Sequence, residues 1–170
     1  MTDEPAAVVT AKISEIPYFI PEKKSFDAFM AEGLIHYIGQ DLWDSYYETV
    51  LNEAVDPEML RSSGLNIVYT PLCGTGMEPV HAVLGKLGVN ITTVACQAKP
   101  DGDFKTCEYP NPETDAALNE SYKVAQNAPC DVILGTDPDA DRVAIAVPDG
   151  NGGFRKLSGN ELGCMLMEYI

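Results

Sequence analysis

Three aspartates at alternate positions, followed at once by an arginine, form the part of the sequence best suited to chemistry. Asp137, Asp139 and Asp141 lie in the segment Gly-Thr-Asp-Pro-Asp-Ala-Asp-Arg, which ends at Arg142. Carboxylates crowded this closely repel one another unless a cation neutralises them, and their hard oxygen atoms suit Mg²⁺ or Ca²⁺. A planar guanidinium beside such a cation is suited to contact a phosphate group. The segment therefore predicts a divalent-metal site with an arginine on its phosphate side.

Two other interpretations of this acidic segment compete with the metal site. The same pattern occurs in solvated acidic turns that bind no metal, and a short motif alone does not distinguish the two. An EF-hand calcium loop begins with the same spacing but requires glycine at its sixth position and glutamate at its twelfth. Counted from Asp137, those positions hold Arg142 and Pro148, and the flanking segments are strand-like rather than helical. The EF-hand interpretation is therefore rejected.

The composition is that of a globular domain with a strongly acidic surface. The chain has 170 residues, of which 45% are hydrophobic and 22% charged, and its formal net charge is −15. Such a surface repels nucleic acid and anionic membranes, and no apolar run is long enough to span a bilayer. The N-terminus lacks the basic start and apolar core of a signal peptide. We therefore expect a cytoplasmic protein without nucleic-acid or membrane partners.

Five cysteines without a Cys-x-x-Cys pair argue against a disulfide framework and against a zinc site. Reduced thiols are therefore expected. Cys96, Cys130 and Cys164 lie in apolar surroundings and are expected in the core, whereas Cys73 lies in a glycine-rich loop and is expected to be accessible. A catalytic nucleophile at Cys73 is the weaker alternative, because no base is evident nearby.

Alternating strand and helix patterns from residue 66 onward predict an α/β fold. Apolar segments of strand type occur at residues 66–69, 91–96, 131–134 and 143–147, and helical patterns separate the first three of them. Strand–helix–strand order is typical of a parallel sheet covered by helices. The expected fold is a three-layer α/β/α domain with a small, mostly parallel four-stranded sheet.

The segment before this core sets the expected domain boundary. Residues 6–13 predict a short extended arm, and prolines make residues 16–24 an irregular linker. From residue 41 a helical pattern begins, so the expected organisation is an arm or linker at residues 1–40 and one domain at residues 41–170. The side chains that share the apolar face of this first helix are Leu42, Trp43, Tyr46, Tyr47, Val50 and Leu51.

Two loops are expected to lie near the acidic segment, because ligands of open α/β sheets gather at the carboxyl ends of strands. Gly74, Thr75 and Gly76 follow the first strand. Glycines at such a position either only make the turn or present the N–H groups of a helix N-terminus to phosphate, and both interpretations stay open. Asn111 and Pro112 precede a helix and are expected to reach the same edge. The two histidines are isolated in the sequence and are expected to be structural.

Four short segments occur in an order and at a spacing typical of one enzyme family. They are Tyr-Thr-Pro-Leu-Cys-Gly-Thr-Gly at residues 69–76, Lys-Pro-Asp-Gly-Asp-Phe at residues 99–104, Tyr-Pro-Asn-Pro-Glu at residues 109–113, and the acidic segment. Together they resemble the second domain of the α-D-phosphohexomutases, the phosphoglucomutase/phosphomannomutase group. The resemblance covers roughly residues 35–170. One minor departure is Cys73, where many members carry histidine or asparagine.

The resemblance implies a mutase that moves a phosphoryl group between the 1 and 6 positions of a hexose through a hexose 1,6-bisphosphate. In the family, a serine of the first domain carries the phosphoryl group. Three aspartates of the second domain, together with a phosphoserine oxygen, hold Mg²⁺. These aspartates match Asp137, Asp139 and Asp141, and the adjacent arginine matches Arg142. The further positions expected on the substrate or phosphate side are Gly74, Thr75, Gly76, Asn111 and Pro112.

The resemblance also implies that the chain is one domain of a longer enzyme. The family's phosphoserine segment, of the type Thr/Ser-Ala-Ser-His-Asn-Pro, does not occur in the sequence, and neither do its sugar-selecting loop and basic phosphate clamp. Residues 1–40 would then be an arm from a preceding domain, the remaining domains and a hexose phosphate would be the partners, and the chain alone would be inactive. Two alternatives are a stand-alone Mg²⁺ or Ca²⁺ module and a nucleotide-binding α/β module that uses the glycine loop. Preference for glucose, mannose or pentose phosphates would be set outside this chain.

Overall fold

The computed structural model describes residues 2–19 and 24–170, and the chain divides into two compact units at residues 1–40 and 41–170. The first unit holds helix α1, Asp3–Glu15, and helix α2, Phe26–Ala31. That this unit is an arm from a preceding domain stays a prediction.

The extended arm predicted for residues 6–13 is wrong, because these residues lie within α1. Asp3 and Glu4 occupy the first turn of this helix and Lys12 the last, so that their charges complement the helix dipole. Alanine, which has the highest helix propensity, occurs three times in it. Part of the linker predicted at residues 16–24 lies outside the described residues, and residues 16–19 form neither helix nor strand.

The second unit alternates helices and strands in the predicted order. Two helices precede the first strand, and one helix follows the last. The helices are α3 (Gln40–Asn52), α4 (Pro57–Ser63), α5 (Met77–Lys86), α6 (Asp115–Ala125) and α7 (Gly159–Tyr169), with a short 3-10 turn at Ala95–Gln97. The strands are β1 (Asn66–Thr70), β2 (Asn90–Thr93), β3 (Val132–Thr136), β4 (Val143–Pro148) and β5 (Phe154–Lys156).

The sheet has five strands in the order β2-β1-β3-β4-β5, so the predicted four-stranded sheet lacks one edge strand. β1 runs parallel to β2 and β3, whereas β3 with β4 and β4 with β5 are antiparallel. The turn before β5 is closed by Asp149, whose side chain accepts hydrogen bonds from the N–H groups of Asn151 and Gly153. β5 was not predicted, because its three residues, two of them cationic, are too few for an alternating apolar pattern.

Apolar side chains alternate between the two faces of the sheet and build the predicted three layers. Val68 and Ile133 belong to a buried cluster with Ala125 of α6, and Ile67 and Tyr69 belong to a second cluster with side chains of α5. This alternation follows from the two-residue period of a strand. The three-layer α/β/α architecture is therefore confirmed, with β1 and β3 at its centre.

The burial expected for the cysteines is wrong at three of them. Cys73 is buried at 6% exposure, whereas Cys96 and Cys164 are exposed. On the aromatic face of α3 only Tyr47 is fully buried, and Tyr46 is 51% exposed. Local apolar surroundings in the sequence do not decide burial at a helix face or after a strand, because the position of the neighbouring layer decides it.

The helix α7 starts with a capping box formed by Ser158 and Glu161. Ser158 accepts a hydrogen bond from the N–H of Glu161, and the Glu161 carboxylate accepts one from the N–H of Ser158. Further along, α7 exposes Met165, Leu166 and Met167. No helix within residues 2–19 and 24–170 combines the length and the apolar composition needed to cross a bilayer.

Candidate metal centre

The acidic segment forms the tight connection between the antiparallel strands β3 and β4. The N–H of Asp137 donates to the carbonyl of Arg142 (3.3 Å), which continues the pairing of the two strands by one step. Inside the loop, the N–H of Ala140 donates to the carbonyl of Asp137 (3.0 Å), and Ala140 adopts a left-handed conformation with φ +58°. This short turn brings alternate side chains of the loop together.

The three aspartates predicted as metal ligands converge in space. Asp137, Asp139 and Asp141 each offer a carboxylate oxygen, and these oxygens lie within 4.8 Å of one another. Asp137 is buried at 1% exposure, whereas the other two are exposed. A half-open set of hard oxygen donors fits Mg²⁺, which binds few protein carboxylates and keeps other positions for water or phosphate oxygens. The donor set therefore suits a hard divalent cation.

Arg142 holds the buried carboxylate of Asp137 in place. Its N–H donates to Oδ1 of Asp137 (2.9 Å) and its Nε donates to Oδ2 (2.8 Å). Burial raises the pKa of Asp137, but the two hydrogen bonds and the charge of Arg142 outweigh it, so the pKa lies below its ordinary value. Arg142 Nε also lies 3.8 Å from Oδ1 of Asp141. Its side chain is 47% exposed, so its outer N–H groups can reach a ligand.

The pKa of Asp141 is shifted in the opposite direction from that of Asp137. A hydrogen bond with Asp137, followed in size by the negative charge of Asp139, raises the pKa of Asp141 above its ordinary value. A bound cation would favour the charged form of Asp141, because it neutralises the surrounding negative charges. Metal affinity of this centre should therefore rise with pH, since carboxylate ligands must be deprotonated to bind a metal.

The glycine loop after β1 touches the acidic loop directly. The N–H of Thr75 donates to the carbonyl of Pro138 (2.8 Å), and the Thr75 hydroxyl donates to the same oxygen (3.1 Å). A Cβ on Gly74 would lie 2.2 Å from Cα of Pro138, so only glycine allows this approach. The predicted phosphate-side role of these residues stays a prediction, since both Thr75 donors already have a partner.

Gly76 allows a second close approach beneath the acidic loop. A Cβ there would lie 2.5 Å from Oη of Tyr69 and 2.8 Å from Oγ1 of Thr136. Those two oxygen atoms form a buried hydrogen bond of 2.9 Å between β1 and the last residue of β3. Burial raises the pKa of Tyr69, so its hydroxyl stays protonated and able to donate. This pair fixes the end of β3 from which the acidic loop leaves.

Gln97 anchors the glycine loop and was not predicted from the sequence. Its Oε1 accepts from the hydroxyl of Thr70 (2.7 Å), and its carbonyl accepts from the N–H of Cys73 (2.9 Å). Leu72 and Cys73 have φ angles of +46° and +59°, which cost roughly 1 to 3 kcal/mol each. Backbone strain of this kind, held in place by hydrogen bonds, is typical of functional loops. The signal in the sequence was a polar glutamine directly after residues 91–96, which were predicted as a strand. In the structure β2 ends at Thr93, and Ala95–Gln97 form the 3-10 turn.

Asn111 and Pro112 lie near the end of β3. The side-chain oxygen of Asn111 is used in a local hydrogen bond. The Asn111 side chain accepts from the N–H of Glu113 (3.0 Å). Pro112 is fully buried, and its Cβ would lie 3.6 Å from a Cβ placed on Gly135. Their substrate-side role stays a prediction.

His81 lies on α5, with its ring centroid 6.1 Å from that of Tyr69. Its Nε2 pairs with the Thr93 hydroxyl at 2.7 Å, and burial lowers its pKa. Within the described residues, the aspartate triad is the one cluster of three or more potential ligand residues with metal-binding geometry.

The chain is similar to known proteins in both sequence and fold. The family described as phosphoglucomutase/phosphomannomutase, alpha/beta/alpha domain II, matches residues 44–152, more than half of the chain. A solved structure of a phosphoglucomutase/phosphomannomutase family protein from Burkholderia thailandensis has a TM-score of 0.52 and 17% identity, covering 61% of this chain and 21% of that one. This structure supports the fold.

Sequence relatives agree with the family match. A probable phosphomannomutase of Haemophilus influenzae is 41% identical over 141 residues, which cover 77% of this chain and 29% of the relative. A phosphoglucomutase of Staphylococcus epidermidis is 33% identical over 139 residues, which cover 81% of this chain and 25% of the relative. The chain thus spans less than a third of the length of these relatives. It belongs to the phosphoglucomutase/phosphomannomutase family and corresponds to its second, α/β/α domain.

Proposed function

We propose that this chain is the Mg²⁺-binding domain of a phosphohexomutase. The observation that carries the proposal is the convergence of three carboxylate oxygens within 4.8 Å on the loop between β3 and β4, in a domain that matches the family over residues 44–152. Asp137, Asp139 and Asp141 are the proposed ligands. The enzyme would interconvert hexose 1-phosphate and hexose 6-phosphate through a phosphoserine and a hexose 1,6-bisphosphate.

Each polar group of the centre has a proposed task. Asp137, fixed by Arg142, gives the site a preformed ligand, while the exposed Asp139 and Asp141 close on the cation. When bound, Mg²⁺ would neutralise charge on the phosphoryl group in transfer. The outer N–H groups of Arg142 would hold the same phosphate and orient it. Gly74, Thr75, Gly76, Asn111 and Pro112 are further proposed contacts on the substrate or phosphate side.

The rest of the reaction belongs to parts of the enzyme beyond this domain. The matched relatives are more than three times as long as the matched segment, and the phosphoserine and the sugar contacts would lie in their other domains. We therefore propose that the isolated chain has no mutase activity. A net charge of −15 disfavours nucleic-acid and membrane partners, and a cytoplasmic location is part of the same proposal.

A Mn²⁺ titration of the ¹⁵N-labelled chain tests the metal site. Paramagnetic broadening detects weak binding, which three carboxylates without a phosphate oxygen should give. We expect broadening confined to amides of residues 136–143, and its loss in Asp139→Ala. Asp103→Ala is the matched control, because Asp103 is an exposed loop carboxylate that pairs with Lys105 (3.3 Å) outside this centre. That variant should broaden as the unmodified chain does.

A second titration with free phosphoserine supplies the missing phosphate oxygen. Tighter Mn²⁺ binding with phosphoserine supports a centre that is completed by a phosphoryl group. Saturation at low metal without phosphoserine would favour a stand-alone metal module instead. Nucleotide binding that survives Asp139→Ala would favour the nucleotide-binding alternative. If neither titration broadens residues 136–143 selectively, the ligand assignment is wrong.

A further inference from the structure

Two hydrogen bonds join the acidic loop to the glycine loop, and both end on the carbonyl of Pro138. The carbonyl of Pro138 accepts both the N–H (2.8 Å) and the hydroxyl (3.1 Å) of Thr75. Pro138 stands between the buried ligand Asp137 and the exposed ligand Asp139. A contact that fixes the Pro138 carbonyl therefore also fixes the peptide that leads into Asp139.

The approach of the two loops is as close as their backbones permit. A Cβ on Gly74 would lie 2.2 Å from Cα, 2.3 Å from the oxygen and 2.6 Å from the carbonyl carbon of Pro138. All three are backbone atoms, which cannot move aside by a side-chain rotation. Packing of this kind and the two hydrogen bonds restrict the same residue, and we refer to them together as the Thr75–Pro138 contact.

The glycine loop is itself held rigidly. Gln97 binds Thr70 and the N–H of Cys73, and the N–H of Gly74 closes a turn onto the carbonyl of Pro71 (2.9 Å). This loop follows β1 at the centre of the sheet. A rigid element that contacts a loop tip can hold that tip in one conformation before a ligand arrives.

We propose that Thr75 is a positioning residue for the metal centre, and that the Thr75–Pro138 contact holds the acidic loop in its metal-binding conformation. The inference rests on the proposed metal function of this loop. Thr75 reaches no metal ligand directly and acts through the Pro138 carbonyl. Without the contact, the 138–141 tip gains conformational freedom that metal binding must then remove.

This role differs from a phosphate-side role for Thr75 in a way that experiment separates. A residue that binds phosphate affects Mn²⁺ affinity only when phosphate or phosphoserine is present. A residue that holds the metal loop affects Mn²⁺ affinity in phosphate-free buffer. The decisive measurement is therefore the Mn²⁺ dissociation constant of the chain, determined from free-ion electron paramagnetic resonance without any phosphate.

Three variants make the comparison. Thr75→Val keeps the shape and the N–H but removes the hydroxyl, and we expect roughly threefold to tenfold weaker Mn²⁺ binding from the loss of one hydrogen bond. Thr75→Ser restores the hydroxyl and should bind within about twofold of the unmodified chain. Thr49→Val is the matched control, because Thr49 makes a similar hydroxyl bond to the Ser45 carbonyl (2.9 Å) in α3.

Amide hydrogen exchange provides a readout that does not depend on metal. In the metal-free Thr75→Val variant, the amide of Ala140, which donates to Asp137, should exchange faster. Unchanged affinity and unchanged exchange in Thr75→Val would overturn the inference. If the unmodified chain binds no Mn²⁺ even with phosphoserine, the proposed function fails. Unchanged exchange at Ala140 in Thr75→Val would then also rule out the positioning role of Thr75.

Discussion

Substitution of Asp137 by asparagine separates the structural role of this residue from its role as a metal ligand. Both carboxylate oxygens accept hydrogen bonds from Arg142, at 2.9 Å and 2.8 Å. An amide offers one oxygen and one NH₂ group, so one Arg142 donor would face another donor. Loss of one charge-assisted hydrogen bond costs about 1.5 to 3 kcal/mol, and the lower half of this range applies because water reaches the half-exposed Arg142 side chain.

Asp139→Asn is the matched substitution with the opposite expectation for stability. Asp139 is exposed, and its charge contributes to the raised pKa of Asp141. Its neutralisation should leave the metal-free chain as stable as before or slightly more stable, because it relieves repulsion among carboxylates. Both substitutions should abolish the stabilisation that added Mg²⁺ gives the unmodified chain, since ligand binding to the folded state alone raises its stability.

Urea unfolding followed by Trp43 fluorescence measures both effects. Trp43 is the single tryptophan of the chain and stacks on Tyr47 with ring centroids 5.5 Å apart, so its signal reports on α3. Unfolding is recorded with EDTA and again with Mg²⁺. The reasoning would be refuted if Asp137→Asn were as stable in urea as the unmodified chain. It would also be refuted if Asp139→Asn were destabilised as strongly as Asp137→Asn.

The pH dependence of stability gives an independent check on Asp137. Its pKa in the folded chain is depressed, so its stabilising contribution is complete above the pKa of an unfolded aspartate, about 3.9. The contribution is lost as pH falls through the lower pKa of the folded state. Asp137→Asn should remove this part of the acid destabilisation.

Two further predictions concern a glycine contact and a helix cap. Gly76→Ala should destabilise the chain by about 1 to 3 kcal/mol in urea unfolding, because the new Cβ would meet the Tyr69 hydroxyl at 2.5 Å. Gly85→Ala, in open space within α5, should stabilise it by about 0.5 to 1 kcal/mol, and equal effects would contradict the packing argument. Hydrogen bonds from the Ser158 N–H, Arg155 and the Ser158 hydroxyl lower the pKa of Glu161 to about 2. Circular dichroism should therefore show the charge-dependent part of the capping contribution to α7 intact above the ordinary glutamate pKa and lost as pH falls through about 2. This pH dependence should be absent in Glu161→Gln, whose amide can keep the capping hydrogen bond without titrating.

The local patterns in the sequence predicted the interior strands well. The continuous apolar runs at residues 66–69 and 131–134 reflect two buried faces, and β1 and β3 are interior strands of the sheet, where both faces are covered. The capping box before α7 was also predictable, because its hydrogen bonds join residues three positions apart. By contrast, β5 is an edge strand of three residues, and its pairing with β4 depends on a turn rather than on an apolar pattern.

By itself, the sequence determined the identity of the metal-ligand candidates. Asp137, Asp139 and Asp141 are close in the chain, so a single turn suffices to bring their oxygens within 4.8 Å. The alternate spacing and the strands on either side carry that information locally. The same locality explains why Arg142 could be assigned beside the triad without knowledge of the fold.

Only the tertiary structure decided how this centre is supported. Thr75 and Pro138 are 63 residues apart in the chain, and they meet because β1 and β3 are adjacent parallel strands whose carboxyl ends reach the same edge. The burial of Cys73 and the anchoring by Gln97 depend on the same strand order. Strand order results from the packing of whole layers, and no local pattern of residue types records which loops will touch.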